Sequence, residues 1–237
     1  MRLVALLATL ALLAGCGGND DEPLTVYAAS SLTEVFEQLA PDARFNFAGS
    51  DELATQLREG ARADVYAAAS PRYPGELFDE GIVDAPVVFA TNRLVLVVPS
   101  GNPAGIRGLD DVAAADVRLV VGGVGVPIGD YTRELLERAQ RLDVLERVVS
   151  EEEDVKGVLA KVALSEADAG FVYATDARAA GDDVVAVELP SELQARIEYP
   201  AAVVRDTKRR AAARRFVELL RSARGQATLR AAGFGVP

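Results

Sequence analysis

Four short stretches place small or hydroxyl-bearing residues where a predicted strand or loop turns into a predicted helix. They are Ala29-Ser30-Ser31, Ala48-Gly49-Ser50-Asp51, Val126-Pro127-Ile128-Gly129 and Glu153-Asp154-Val155. The first turn of a helix carries N–H groups without an intrahelical acceptor, and the helix dipole adds roughly half a positive charge there. Several such starts converging on one cleft would hold a small dianion with neutral donors, without lysine or arginine. Taken singly, each has a plainer reading. Ser31-x-x-Glu34 has the form of a capping box, in which the serine accepts from an early helical N–H and the glutamate reaches back. A Pro-x-Gly sequence is ordinarily a turn, and Asp154 is placed to cap the helix that follows it. Spacing does not choose between cap and ligand donor, nor does it name the anion.

Composition removes several chemistries. The 237 residues include no histidine, no tryptophan and one cysteine. Ser/His/Asp and Cys/His catalysis and most transition-metal sites are thereby excluded, and so is an intrachain disulfide. No free metal cation is expected. Asp64, Asp154 and Asp168 are the carboxylates an enzyme would draw on, yet each fits better as a cap, turn or rim residue, so no enzymatic activity is expected. The formal charge is −11, which repels phosphate backbones at long range and argues against a nucleic-acid partner. An anion would have to be held by local dipoles against that field.

The single cysteine ends the stretch "RLVALLATLALLAGC" at residues 2–16. One arginine and a short apolar run read as a secretory leader over 1–15, too short to span a bilayer comfortably. Small residues just before Cys16 resemble the lipobox of bacterial lipoproteins, which implies cleavage there and a lipid on Cys16. The polar residues through 23 then form a tether.

Beyond the tether, short apolar strands alternate with amphipathic helices. Strands are expected at 24–29, 44–48, 63–69, 93–99, 117–122, 169–174, 183–189 and 199–204. Helices are expected at 31–40, 51–59 closed by Gly60, after the turn at 125, at 154–163 and at the basic stretch 207–222. Strand-helix repetition at this spacing predicts parallel α/β units. The fold class expected is α/β in two lobes joined by two crossover strands. Residues 24–88 plus 200–237 form one lobe and 89–199 the other, with a ligand cleft and a hinge between them.

The blocks "AASSLTEVFEQLA", "FAGSDELATQLREGARADVYAAAS", "VPIGDYTRELLE", "EEDVKGVLAKVALSEADAGFVYATDA" and "EYPAAVV" resemble, in order and spacing, the motifs of the molybdate-binding proteins of bacterial ABC importers. The resemblance implies the type II periplasmic-binding-protein fold and a monomeric receptor on the outer face of the cytoplasmic membrane. Such a receptor takes molybdate, and tungstate too, and delivers it to an ABC permease; sulfate or phosphate is the alternative ligand. It also implies site roles. Ser31 and Ser50 match serines that offer hydroxyl and N–H donors to the oxyanion, Ile128 and Val155 match backbone N–H donors, and Tyr173 matches a tyrosine whose hydroxyl completes the shell. Two positions depart from the family pattern. Asp51 replaces a second serine and is expected to point outward, and Ile128 replaces a smaller residue.

Overall fold

The computed structural model describes residues 22–113 and 116–237; the expected leader and Cys16 lie outside the described residues. Ten strands occur in chain order: β1 (Thr25–Ala29), β2 (Arg44–Ala48), β3 (Val65–Ala67), β4 (Val87–Asn92), β5 (Leu94–Pro99), β6 (Leu119–Gly122), β7 (Val148–Glu152), β8 (Ala169–Tyr173), β9 (Val184–Glu188) and β10 (Ile197–Val203). They form two five-stranded sheets, ordered β2-β1-β3-β10-β4 and β7-β6-β8-β5-β9. The sheets repeat one plan. Three parallel strands are followed by an antiparallel strand arriving from the other lobe, and then by an edge strand antiparallel to that one.

The two passages between lobes differ from expectation. The apolar run near residue 89 is two strands in different sheets: Asn92 pairs with Ile197 in the first, and Leu94 with Tyr173 in the second. The change of sheet therefore falls at Arg93, not at 88/89. On the return a short 3-10 turn at Ser191–Leu193 lies between β9 and β10. β10 rejoins the first sheet at Ile197, earlier than residue 200. Sheet membership depends on hydrogen-bonding partners, to which hydropathy is blind.

Helices pack against both sheets: α1 (Thr33–Leu39), α2 (Ser50–Arg58), α3 (Arg72–Asp79), α4 (Leu109–Val112), α5 (Pro127–Arg138), α6 (Val155–Ala163), α7 (Ala174–Ala180), α8 (Arg210–Arg221) and α9 (Ala223–Ala231). In the first lobe the strand alternation sorts the core. Val65 and Ala67 face the cluster around Phe36, Phe89 and Phe216, while Tyr66 faces Leu53, Leu57 and Leu77 of α2 and α3. The Phe36 ring meets Phe216 edge-on at 5.4 Å and Phe89 at 5.9 Å. Helix α3 was not expected from "RYPGELFD". Its proline is in the first turn, where the missing N–H would have no intrahelical acceptor. Ser222 ends α8 and caps α9, accepting from the Gly225 N–H at 3.1 Å. Helix α8 buries Ala213, Phe216 and Leu220 and leaves Arg214 and Arg215 in solvent. Arg209 donates to the Pro23 carbonyl and pairs with Glu22, tying the end of the tether to the first lobe.

Candidate functional site

The carboxyl ends of β1, β2, β6, β7 and β8 meet between the lobes, and each runs into a helix or turn there. In open α/β sheets this is the edge at which ligands bind. Ser31, Ser50, Ile128, Val155 and Tyr173 all line one small cavity, together with neighbours from the same strand ends. Among the described residues no lysine or arginine lines it. Its one ionisable carboxylate, Asp154, is the N-cap of α6 and accepts from the Gly157 N–H at 2.9 Å.

Ser31 is not a helix cap. It lies in a single 3-10 turn ahead of α1, and its hydroxyl is 3.0 Å from the Tyr199 hydroxyl. Glu34 does not reach back; it reaches across to Lys156 of the other lobe. The capping-box expectation fails because Tyr199, distant in sequence, offers a buried partner to the same hydroxyl. Ser50 opens α2 after Gly49, and its Oγ accepts from the Ala69 N–H at 3.1 Å, which leaves the hydroxyl proton free. Ile128 and Val155 are the second and first residues of α5 and α6, so their N–H groups have no intrahelical acceptor. Their side chains are buried. Gly129 lets α5 start this close to β6: a Cβ there would lie 2.2 Å from the carbonyls of Gly122 and Gly123.

Tyr173 is 1% exposed, and its hydroxyl has no hydrogen-bond partner among the described residues. Burial pushes its pKa well above the ordinary phenol value, so it stands in the cavity as a neutral O–H donor.

Asp51 is not turned outward. Its Oδ1 is buried without a partner and folds back over Gly49, beside the Glu153 carbonyl of the second lobe. It does not line the cavity. Burial raises its pKa, and the like charges of Asp130 and Glu153 add to the rise. The other carboxylates weighed for catalysis are structural. Asp64 accepts from the Thr25 N–H and the Thr207 hydroxyl, and Asp168 is held by Arg118.

Side chains from both lobes lock the seam. Lys156 Nζ lies 2.7 Å from Glu34 Oε1 of the first lobe and 3.1 Å from Asp176 Oδ1 of its own. Burial lifts Asp176 to about 6, against the pull of Lys156. The Tyr73 hydroxyl donates to the Gly125 carbonyl at 2.5 Å, and Arg72 stands 3.5 Å from Asp130. The sequence reading missed Tyr199, Asn92, Thr175 and the Lys156 cluster. For Lys156 the available signal was a cation directly after a helix-start block, and for Tyr199 a hydroxyl-bearing residue within "EYPAAVV".

The profile of the family described as bacterial extracellular solute-binding protein matches residues 24–235. The molybdate-binding protein ModA of Mycobacterium bovis is 37% identical, with 90% of this chain and 85% of that protein covered. A putative ABC transporter substrate-binding lipoprotein of Bacillus subtilis, YvgL, is 29% identical over 92% of this chain and 91% of that one. Among solved structures, the periplasmic molybdate-binding protein of Azotobacter vinelandii superposes with a TM-score of 0.81 at 22% identity. That match covers 90% of this chain and 99% of the other, and the shared architecture is the two-lobed type II fold.

Proposed function

The chain belongs to the bacterial extracellular solute-binding proteins, and on that premise we propose that its interlobe cavity receives molybdate for delivery to an ABC permease. The observation that carries this reading is the Tyr173 hydroxyl, buried, neutral and unpartnered, in a cavity it shares with two serine hydroxyls and two helix starts. An unsatisfied buried donor costs about 1–3 kcal/mol, and an oxyanion oxygen removes that cost. Ser31, Ser50 and Tyr173 supply hydroxyls; Ile128 and Val155 supply N–H groups aligned with the dipoles of α5 and α6. The ligand's charge is met by dipoles alone, so no tight ion pair has to break on release.

Tungstate, with the same charge and shape, fits the same donors. Sulfate is smaller and cannot reach all of them at once, and hydrogen phosphate brings a proton for which the cavity has few acceptors. Asp154, the one carboxylate among the described residues that lines the cavity, is engaged as the N-cap of α6, which supports a receptor that performs no chemistry. The protein works as a monomer, held by a lipid on Cys16 to the outer face of the cytoplasmic membrane. Residues 24 to about 92 with the chain from 197 onward move as one lobe and the intervening residues as the other.

The test is the Ser31→Ala, Ser50→Ala double variant in equilibrium dialysis against molybdate. Loss of about a hundredfold or more in affinity is expected for two hydrogen bonds to a charged ligand; wild-type affinity would remove both serines from the site.

A further inference from the structure

Ser31 sits at the end of a chain of hydrogen bonds that starts from a backbone donor. The Asn92 Oδ1 accepts from the Arg93 backbone N–H at 2.9 Å. A backbone N–H can only donate, so the other end of the amide, Nδ2, faces the interior. There it donates to Thr175 Oγ1 at 2.9 Å and, at the long end of hydrogen-bond range, to the Tyr199 hydroxyl oxygen at 3.4 Å. Tyr199 is fully buried, and burial raises its pKa well above the usual phenol value, so it keeps its proton. Asn92 Nδ2 cannot accept, so the partner that can take that proton is Ser31 Oγ, 3.0 Å away, in a contact where either hydroxyl can donate. The serine then accepts from Tyr199 and turns its own proton toward the cavity.

We propose that Asn92 and Tyr199 are positioning residues that commit Ser31 to donate to the ligand, and so make the site select fully deprotonated oxyanions over protonated ones. The inference rests on the oxyanion-receptor reading and goes beyond it by naming residues that touch no ligand. Ser50 is committed in the same sense by the Ala69 N–H, a backbone group no side-chain substitution can reverse. The Ser31 arm is therefore where selectivity can be altered. Asn92 and Tyr199 also lie on β4 and β10, the strands that enter and leave the first sheet at the hinge, while Thr175 belongs to the second lobe. The relay is thus assembled from both lobes.

Tyr199→Phe keeps the ring among Phe89, Tyr173 and Phe234, which surround it at 5.4–6.4 Å, and removes only the hydroxyl. Freed of its donor, Ser31 can rotate and accept a proton from hydrogen phosphate. Asn92→Asp goes further: a carboxylate accepts from Tyr199, Tyr199 then accepts from Ser31, and the serine proton leaves the cavity. Calorimetric titration of wild type and both variants with molybdate and with inorganic phosphate at neutral pH tests this. The molybdate-to-phosphate affinity ratio is expected to fall about tenfold in Tyr199→Phe, and molybdate affinity to fall further in Asn92→Asp. In a Ser31→Ala background, Tyr199→Phe should change nothing more. An unchanged ratio, or an equal effect of Tyr199→Phe with and without the serine, would overturn the relay while leaving the receptor reading intact. Failure of the wild-type protein to bind either anion would overturn both.

Discussion

A Cβ built on Gly49, at the start of α2, would lie 2.5 Å from the main-chain oxygen of Glu153, just ahead of α6 in the other lobe. The lobes meet there only because residue 49 has no side chain. Its φ of −59° is open to any residue, so the constraint is one of contact: the Glu153 oxygen across the seam and, at 2.8 Å within its own lobe, the movable end of the Asp51 side chain. Gly49→Ala should melt about 2–4 °C below wild type, the cost of a poorer helix cap. Its affinity for molybdate should fall about tenfold or more, because a methyl against a carbonyl holds the lobes apart. Thermal melts without ligand, paired with titration, separate the two effects; undiminished affinity would mean that closure does not need this contact.

Tyr173→Phe removes a hydroxyl that no group among the described residues satisfies. The melting temperature without ligand should stay level or rise, since a buried donor without a partner costs about 1–3 kcal/mol. Molybdate affinity should drop about tenfold. A lower melting temperature with affinity intact would make Tyr173 a core residue and nothing more.

Asp51 gives the seam a dependence on pH. In the seam one of its oxygens is buried near Asp130 and Glu153, and burial first, then like charge, raises its pKa above the usual 3.8. Closure therefore takes up a proton, and binding weakens as pH rises through the Asp51 titration. Asp51→Asn should bind about threefold tighter at a pH above the Asp51 titration. The variant should also lose part of the pH dependence. Comparing the two proteins at each pH cancels the ligand's own protonation.

Asp176 bears on stability instead. Its pKa is 3.8 when unfolded and about 6 in the buried native site, raised by burial and only partly relieved by Lys156. The native state holds the proton more tightly, so this contribution to stability is complete below 3.8 and is lost as pH rises through about 6. Asp176→Asn should flatten the pH dependence of the melting temperature across that window. A slope identical to wild type would place the titration elsewhere.

Of the candidate site, the helix starts at Ser31, Ser50, Ile128 and Val155 were legible as local signals, while Tyr173 came from the family resemblance alone. Ser31, Ser50, Ile128, Val155 and Tyr173 each sit where a strand hands over to a helix or turn, and all five line one cavity. What was not legible depends on residues far apart in sequence. Nothing near Ser31 announces that its hydroxyl will meet Tyr199 instead of capping α1, and nothing near Asp51 shows that the second lobe will cover it. The same holds for the fold. The parallel units came from hydrophobic alternation, whereas β7, an edge strand reading Val-Val-Ser-Glu-Glu, is too polar to register. Helices α3 and α7 were hidden by an early proline and by a short run of small residues, and α9 by its direct succession to α8.

The most direct test of the receptor is calorimetric titration of the wild-type protein with molybdate, tungstate, sulfate and phosphate in a buffer free of all four. Tight one-to-one binding of molybdate and tungstate, with no heat from the other two, is the expected result. Heat from phosphate or sulfate alone, or from none of the four, would contradict it.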